Sequence, residues 1–168
     1  MRNAGTIRGK RRYRWLSLLR RGECGGALVE LALTVPMLGV LLVGASEFAT
    51  LEYDSLEVTN AARAGVAYGS QSSATAADTA GMKSAATNDG SNVAGLHATA
   101  TEFWSCSSAP STQYSSAAAA AAACSSSSGY HVLNYVQVNT TATMTPSVAV
   151  PGLPTSYTLN GVAVMRVQ

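Results

Sequence analysis

The residues GGALVELALTVPMLGVLLVGAS, from Gly25 to Ser46, form an apolar run interrupted by one charge, Glu30. At 1.5 Å rise per residue, about twenty such residues cover roughly 30 Å, the hydrocarbon thickness of a bilayer. The run is long enough to span as one helix, and Ala27 to Ala45 is its expected core. Pro36 lies inside it and is tolerated, because local adjustment or neighbouring helices satisfy the carbonyl it frees. A carboxylate near one end of such a segment is unfavourable in lipid and calls for a partner. The 168 residues leave room for one modest domain beyond this helix.

Charge is distributed unevenly about the run. Eight of the eleven basic residues precede it: Arg2, Arg8, Lys10, Arg11, Arg12, Arg14, Arg20 and Arg21. Only Arg63, Lys83 and Arg166 follow. From Gly26 onward there are 3 basic and 8 acidic residues, 3 − 8 = −5. The positive-inside rule places the N-terminus in the cytoplasm and the C-terminal part across the membrane. Topology alone accounts for the basic N-terminus, so binding of nucleic acid is not required. A cleaved secretory signal is the rival reading, with Gly44-Ala45-Ser46 as its cleavage site. Against it, the apolar core exceeds the usual roughly 7–15 residues and contains Pro36 and Gly39.

These features divide the chain into three parts. Residues 1–25 are a basic cytoplasmic leader, 26–46 the transmembrane helix, and 47–168 an extracytoplasmic domain. The domain reads as helical over 47–90 and strand-rich over 93–168, with a low-complexity insert at 105–128. Glu47 to Tyr68 holds no proline and one glycine, Gly65. Phe48, Leu51, Ser55, Val58, Ala62 and Val66 recur at three- to four-residue spacing, a helical stripe. Joined to the apolar run, it makes one helix of more than forty residues. Ala61, Ala62, Ala64, Gly65 and Ala67 give that helix a small-residue end, suited to close packing. Glu47, Glu52, Asp54 and Glu57 lie along the same helix and are expected on a solvated face.

Ala74 to Thr87 predicts a second helix, closed by the turn signal Asn88-Asp89-Gly90. Strands are expected at Leu96–Trp104, Tyr130–Met144 and Thr158–Val167. Val132, Val136 and Val138 share one face of the second, with Leu133 and Tyr135 on the other. Leu159, Ala163, Met165 and Val167 share a face of the third. Asn160-Gly161 has turn chemistry, so that last strand is expected to be short or bulged. Helices followed by about three strands predict an α+β fold with a small antiparallel sheet. The insert from Ser105 to Ser128, with seven alanines at 117–123, is open between a loop and a helical turn.

Nothing in the sequence assembles a reaction centre. His97 and His131 lack ligand spacing and there is no Cys-x-x-Cys, so no metal or other cofactor is expected. There is no Gly-x-Ser-x-Gly elbow and no phosphate-cradling glycine loop, hence no enzyme and no small-molecule substrate. Asn139-Thr140-Thr141 matches a glycosylation sequon, a pattern short enough to arise by chance. Cys106 and Cys124 fall in the translocated part, where thiols can oxidise. They are expected as a disulfide, which would add roughly 3 kcal/mol in the chain-entropy account; two free thiols are the alternative. Cys24 lies on the cytoplasmic side.

The residues Arg20-Arg21-Gly22, Gly25-Gly26-Ala27-Leu28-Val29-Glu30, Pro36, Gly44, Glu47-Phe48 and Asn60-Ala61-Ala62-Arg63-Ala64-Gly65 resemble TadE-like pilus-assembly proteins, the minor pseudopilins of the bacterial Flp/Tad pilus system. The ending Val164-Met165-Arg166-Val167 is similar to the family's close. Gly69 to Ser128 carries no such likeness. The resemblance implies a single-pass protein of the bacterial inner membrane, with its C-terminus in the periplasm. Its partners would be the lipid bilayer, other Tad pilus or pseudopilin subunits and a prepilin-type peptidase, and cell adhesion would be the result. It implies cleavage after Gly25, with Gly26 as the new N-terminus and Glu30 as the fifth residue, an intramembrane assembly carboxylate. Residue 31 is Leu, where an aromatic is common in Flp-type processing motifs. A periplasmic binding domain unrelated to pili, secreted or anchored, is the alternative; cleavage near Ala45 or Ser46 would favour it.

Overall fold

The computed structural model describes residues 24–124, 129–149, 152 and 154–168. Most of the basic leader and the serines at 125–128 lie outside these residues, and so does the expected loop of Pro151. Contacts within the chain group it into two units, Met1–Ala45 and Ser46–Gln168.

Helix α1 runs without interruption from Cys24 to Gly69, through Pro36. Pro36 lacks an N–H, yet the flanking Leu, Val and Ala residues keep the helix going. As expected, the apolar run and the stripe beyond it form a single element. Ser70 continues the hydrogen bonding for one step, with its N–H on Val66 O at 2.9 Å.

Instead of one second helix there are two short ones, α2 (Ser73–Ala77) and α3 (Thr79–Asp89). Ser72 and Thr75 form a capping box that starts α2. Asp78 ends it, because its carboxylate caps the next helix: Gly81 N–H donates to Asp78 Oδ1 at 2.8 Å.

The sheet has four antiparallel strands in the order β2-β1-β3-β4: β1 His97–Cys106, β2 Ala109–Tyr114, β3 Val132–Met144 and β4 Tyr157–Arg166. The strand beyond the expected three, β2, and an eight-residue helix α4 (Ala117–Cys124) both come from the low-complexity insert. β3 is central, paired with β1 and β4 along nearly its whole length. Its alternation follows the expected faces. Val136, Val138, Thr140 and Ala142 point inward and are buried, while Gln137, Asn139, Thr141 and Thr143 take the other side.

The core lies between this inner face and the helices. Ala62 and Val66 of α1, Ala76, Met82 and Ala86 of α2 and α3, and Val136 and Val138 of β3 form one fully buried cluster. Burying each valine or Met82 contributes roughly 1.5–3 kcal/mol. A second cluster joins Val58, Val93, Ala142 and Leu159. The small residues of α1 set how close the helix comes. A Cβ on Gly65 would lie 2.9 Å from Met82 O and 3.0 Å from Val138 Cγ2.

The same close approach overturns the expected turn at Asn160-Gly161. β4 continues through it, and Gly161 pairs with Thr140. A side chain at Gly161 would meet Thr140 Oγ1 and Val58 O, each at 2.5 Å, so glycine here makes room for the α1 backbone. Thr140 fills the junction: its buried hydroxyl donates to Val58 O at 2.6 Å.

Candidate functional site

The N-terminal part of α1 is the segment singled out for function, and every residue from Gly25 to Ser46 is exposed. Leu33 and Val40 each keep 73% of their surface accessible. The helix is long and apolar enough to cross a membrane, a candidate span of the kind a single-pass membrane protein has. Glu30 is the one charged residue among these side chains. Thr34 Oγ1 donates to the Glu30 backbone carbonyl at 2.9 Å, which accounts for the hydroxyl. The Glu30 carboxylate has no hydrogen-bond or ionic partner among the described residues. Leu28, Val29, Leu31 and Leu33, exposed around it, are hydrocarbon.

Gly25 and Gly26 sit in the first turn of α1, with no atom within 4 Å of the place either Cβ would occupy. The first four N–H groups of a helix have no partner within it. Among the described residues, no other part of the chain packs against either glycine.

Beyond Ser46 the helix acquires a buried side. Val58, Ala61, Ala62 and Val66 are covered, Leu51 and Ser55 half covered, and Phe48 remains exposed. Tyr53, Leu56 and Arg63 lie on the uncovered side. Arg63 donates to Asn60 Oδ1 at 3.5 Å and meets no carboxylate among the described residues. The expectation of a fully solvated acidic face needs correction at three positions. Asp54 is half-buried and lines a cavity of ≈ 190 Å³ with Val93, Ala94, Thr143, Met144, Thr145 and Leu159. Glu47 Oε2 accepts the Ser147 N–H at 3.2 Å. Glu57 is half-buried too, and only Glu52 is exposed; the negative field of Glu57, with a hydrogen bond, pushes the Tyr53 phenol up from 10.0.

Cys106 at the end of β1 and Cys124 at the end of α4 are joined as a disulfide, with Cα atoms 5.5 Å apart. It ties the alanine helix to the sheet. α4 itself buries Ala120 and Cys124. Where α1 meets α3, Tyr68 Oη donates to Asp78 Oδ2 at 2.9 Å. The Gly81 N–H and this phenol hold the Asp78 carboxyl below its usual 3.8, and the carboxylate in turn raises the phenol.

His97 and His131 are exposed, on β1 and just before β3. Among the described residues, no three His, Cys, Asp or Glu side chains gather as a metal group would. Asn139 of the sequon lies within β3, where its Oδ1 accepts from Gln137 Nε2 at 2.9 Å. The sheet's outer face is uncovered along β4, where Val162 is 60% exposed. Phe103 stacks there on Tyr135, with centroids 5.4 Å apart. Sequence reasoning missed Thr140 and the half-burial of Asp54. Thr140 had a signal, a polar residue at an inward position between Val138 and Ala142; Asp54 had none.

Residues 25–67 match the family model of the TadE-like proteins. The match covers nearly all of α1 and none of the sheet. No curated protein matches the chain, and no solved structure does.

Proposed function

We propose that this TadE-like chain is a membrane-anchored minor pseudopilin or assembly factor for a Flp/Tad-type adhesive pilus. The observation that carries the reading is a coincidence of place. The family match falls on α1, and the N-terminal part of α1 is an apolar surface that no other described residue covers. Such a surface is suited to lipid and to neighbouring helices, and a pilus-assembly protein uses both. The role is structural and non-enzymatic. Residues 26–46 cross the inner membrane, 1–25 remain cytoplasmic until removed, and 47–168 stand in the periplasm.

In this reading a prepilin-type peptidase cuts between Gly25 and Gly26. The new amine then lies at the bilayer edge, four residues from Glu30. A neighbouring subunit's amine and this unpartnered carboxylate are opposite charges in a poorly solvated place, so pairing offsets part of the burial penalty.

The test is the intact mass of the protein from a bacterium with an active Tad system, together with pilus counts for Glu30→Gln. The expected mass lacks Met1–Gly25, and the variant inserts normally but reduces piliation. A retained leader would move the role to an uncleaved assembly factor. Unchanged piliation after deletion of the whole gene would end the pilus reading.

A further inference from the structure

We propose that residues 147–149, shortly after β3, form a second membrane contact, in which Val148 rests in the lipid interface beside the exit of α1. The proposal depends on the reading that 26–46 spans the bilayer. Its starting point is a hydrogen bond across 100 residues of sequence: Ser147 N–H donates to Glu47 Oε2 at 3.2 Å. Glu47 is the first residue after the apolar run. If the run fills the hydrocarbon core, the polar interface takes up roughly 5–7 Å more on each side. Residues 47 and 48 then lie in that layer. Cα–Cβ bonds in a helix tilt towards its N-terminus, which here is the bilayer side. Glu47 thus holds Ser147 at the membrane surface.

Val148 follows Ser147 by one Cα step, about 3.8 Å. It is 45% exposed, and Ala149 after it is exposed too. Phe48, next to Glu47 on the helix, is 63% exposed. Two elements therefore present uncovered apolar side chains at the level of one residue, and that level adjoins the span. Lipid is the occupant continuous with the span. The contact is apolar, because the first basic residue after the run is Arg63, 63 − 48 = 15 residues beyond the last interfacial position. A neutral bilayer therefore suffices. The charge at this level, Glu47, is engaged by a backbone N–H.

The test uses the full chain carrying Cys24→Ser in phosphatidylcholine vesicles, with Cys106 and Cys124 left bridged. An environment-sensitive fluorophore is placed on a single new cysteine: Val148→Cys, Val40→Cys within the span, or Ser91→Cys in an exposed turn. Lipids with brominated chains serve as the quencher. The expected result is strong quenching at 40, partial quenching with a blue shift at 148, and neither at 91. Adding Glu47→Ala should lower the quenching at 148 and leave 40 unchanged. Quenching at 40 with 148 behaving like 91 would overturn this proposal alone. A blue shift at 148 without quenching would mean that protein covers it, and would overturn it as well. Unchanged quenching at 148 in Glu47→Ala would contradict the clamp. No quenching at 40 would remove the span, and this proposal with it.

Discussion

The two ends of α1 solve opposite problems with the same backbone. From Leu28 to Val43 the helix carries large aliphatic side chains, and all of them are exposed. From Val58 to Gly69 it carries mostly alanine, glycine and valine, and one side is fully buried against α3 and β3. Small residues let a helix approach its own domain closely, so the chain itself supplies the cover. Large ones arranged all round the helix leave no side for water, so the cover must come from lipid or another chain. The contrast teaches that apolar character alone does not locate a core; side-chain size and the presence of a polar side decide which surface is internal.

The sharpest way to break the contrast is to enlarge one glycine in β4, where the domain covers α1, and one in the exposed end of α1. Gly161→Val places methyl groups against Thr140 Oγ1 and the Val58 carbonyl, backbone that cannot move aside. We expect a loss of about 3 kcal/mol or more, enough to unfold the domain, read as loss of protease resistance in detergent. Gly39→Val meets nothing within 4 Å beyond the adjoining helix among the described residues and should leave the domain's resistance unchanged.

The next effect separates the bridge from the core. Replacing Cys106 and Cys124 together by alanine should cost about 3 kcal/mol or less, seen as a lowered unfolding midpoint. Since α4 buries little else, proteolysis of the double variant should start in and around α4, before the β3–β4 pair opens.

The smallest effect is a pH dependence at the α1–α3 junction. The folded pKa of Asp78 is depressed, first by the Gly81 N–H and then by the Tyr68 hydroxyl. Its contribution is therefore present above the unfolded value of 3.8 and lost as pH falls through the lower folded value. Tyr68 has the opposite sign: its pKa is raised, so its contribution is present below 10.0 and lost as pH rises through the folded value. Asp78→Asn should flatten the acid limb of the stability curve, with no change in the membrane behaviour of residues 25–46.

Much of this architecture can be read from residues alone. α1 is continuous because nothing between Cys24 and Gly69 stops a helix except Pro36, and one proline does not end so strong a run. The two faces of β3 follow from its alternation. Three features escaped. Asp78 splits the second helix because its carboxylate serves better as a cap than as a helical surface residue. Asn160-Gly161 has the chemistry of a turn, but here the glycine is required by the α1 backbone crossing it, a contact between distant residues. β2 has no alternation and takes its form from pairing with Trp104 and Cys106. At the candidate site, Glu30 and the two glycines stand out in the sequence, as does the apolar run. The hold of Glu47 on Ser147 does not, because it joins residues a hundred apart.

The most direct measurement of the central claim is a cysteine-accessibility scan along α1 in intact bacteria, in a Cys24→Ser background, with a membrane-impermeant maleimide added outside. Cysteines at Leu31, Leu38 and Leu42 should stay unlabelled, even in urea, because the bilayer covers them. Those at Ala49, Leu56 and Asn60 should label at once. Those at Val58, Ala62 and Val66 should label only in urea, because the domain covers them. Prompt labelling at 31, 38 or 42, or no labelling at 49, 56 and 60, would contradict the account of one helix covered by lipid at one end and by its own domain at the other.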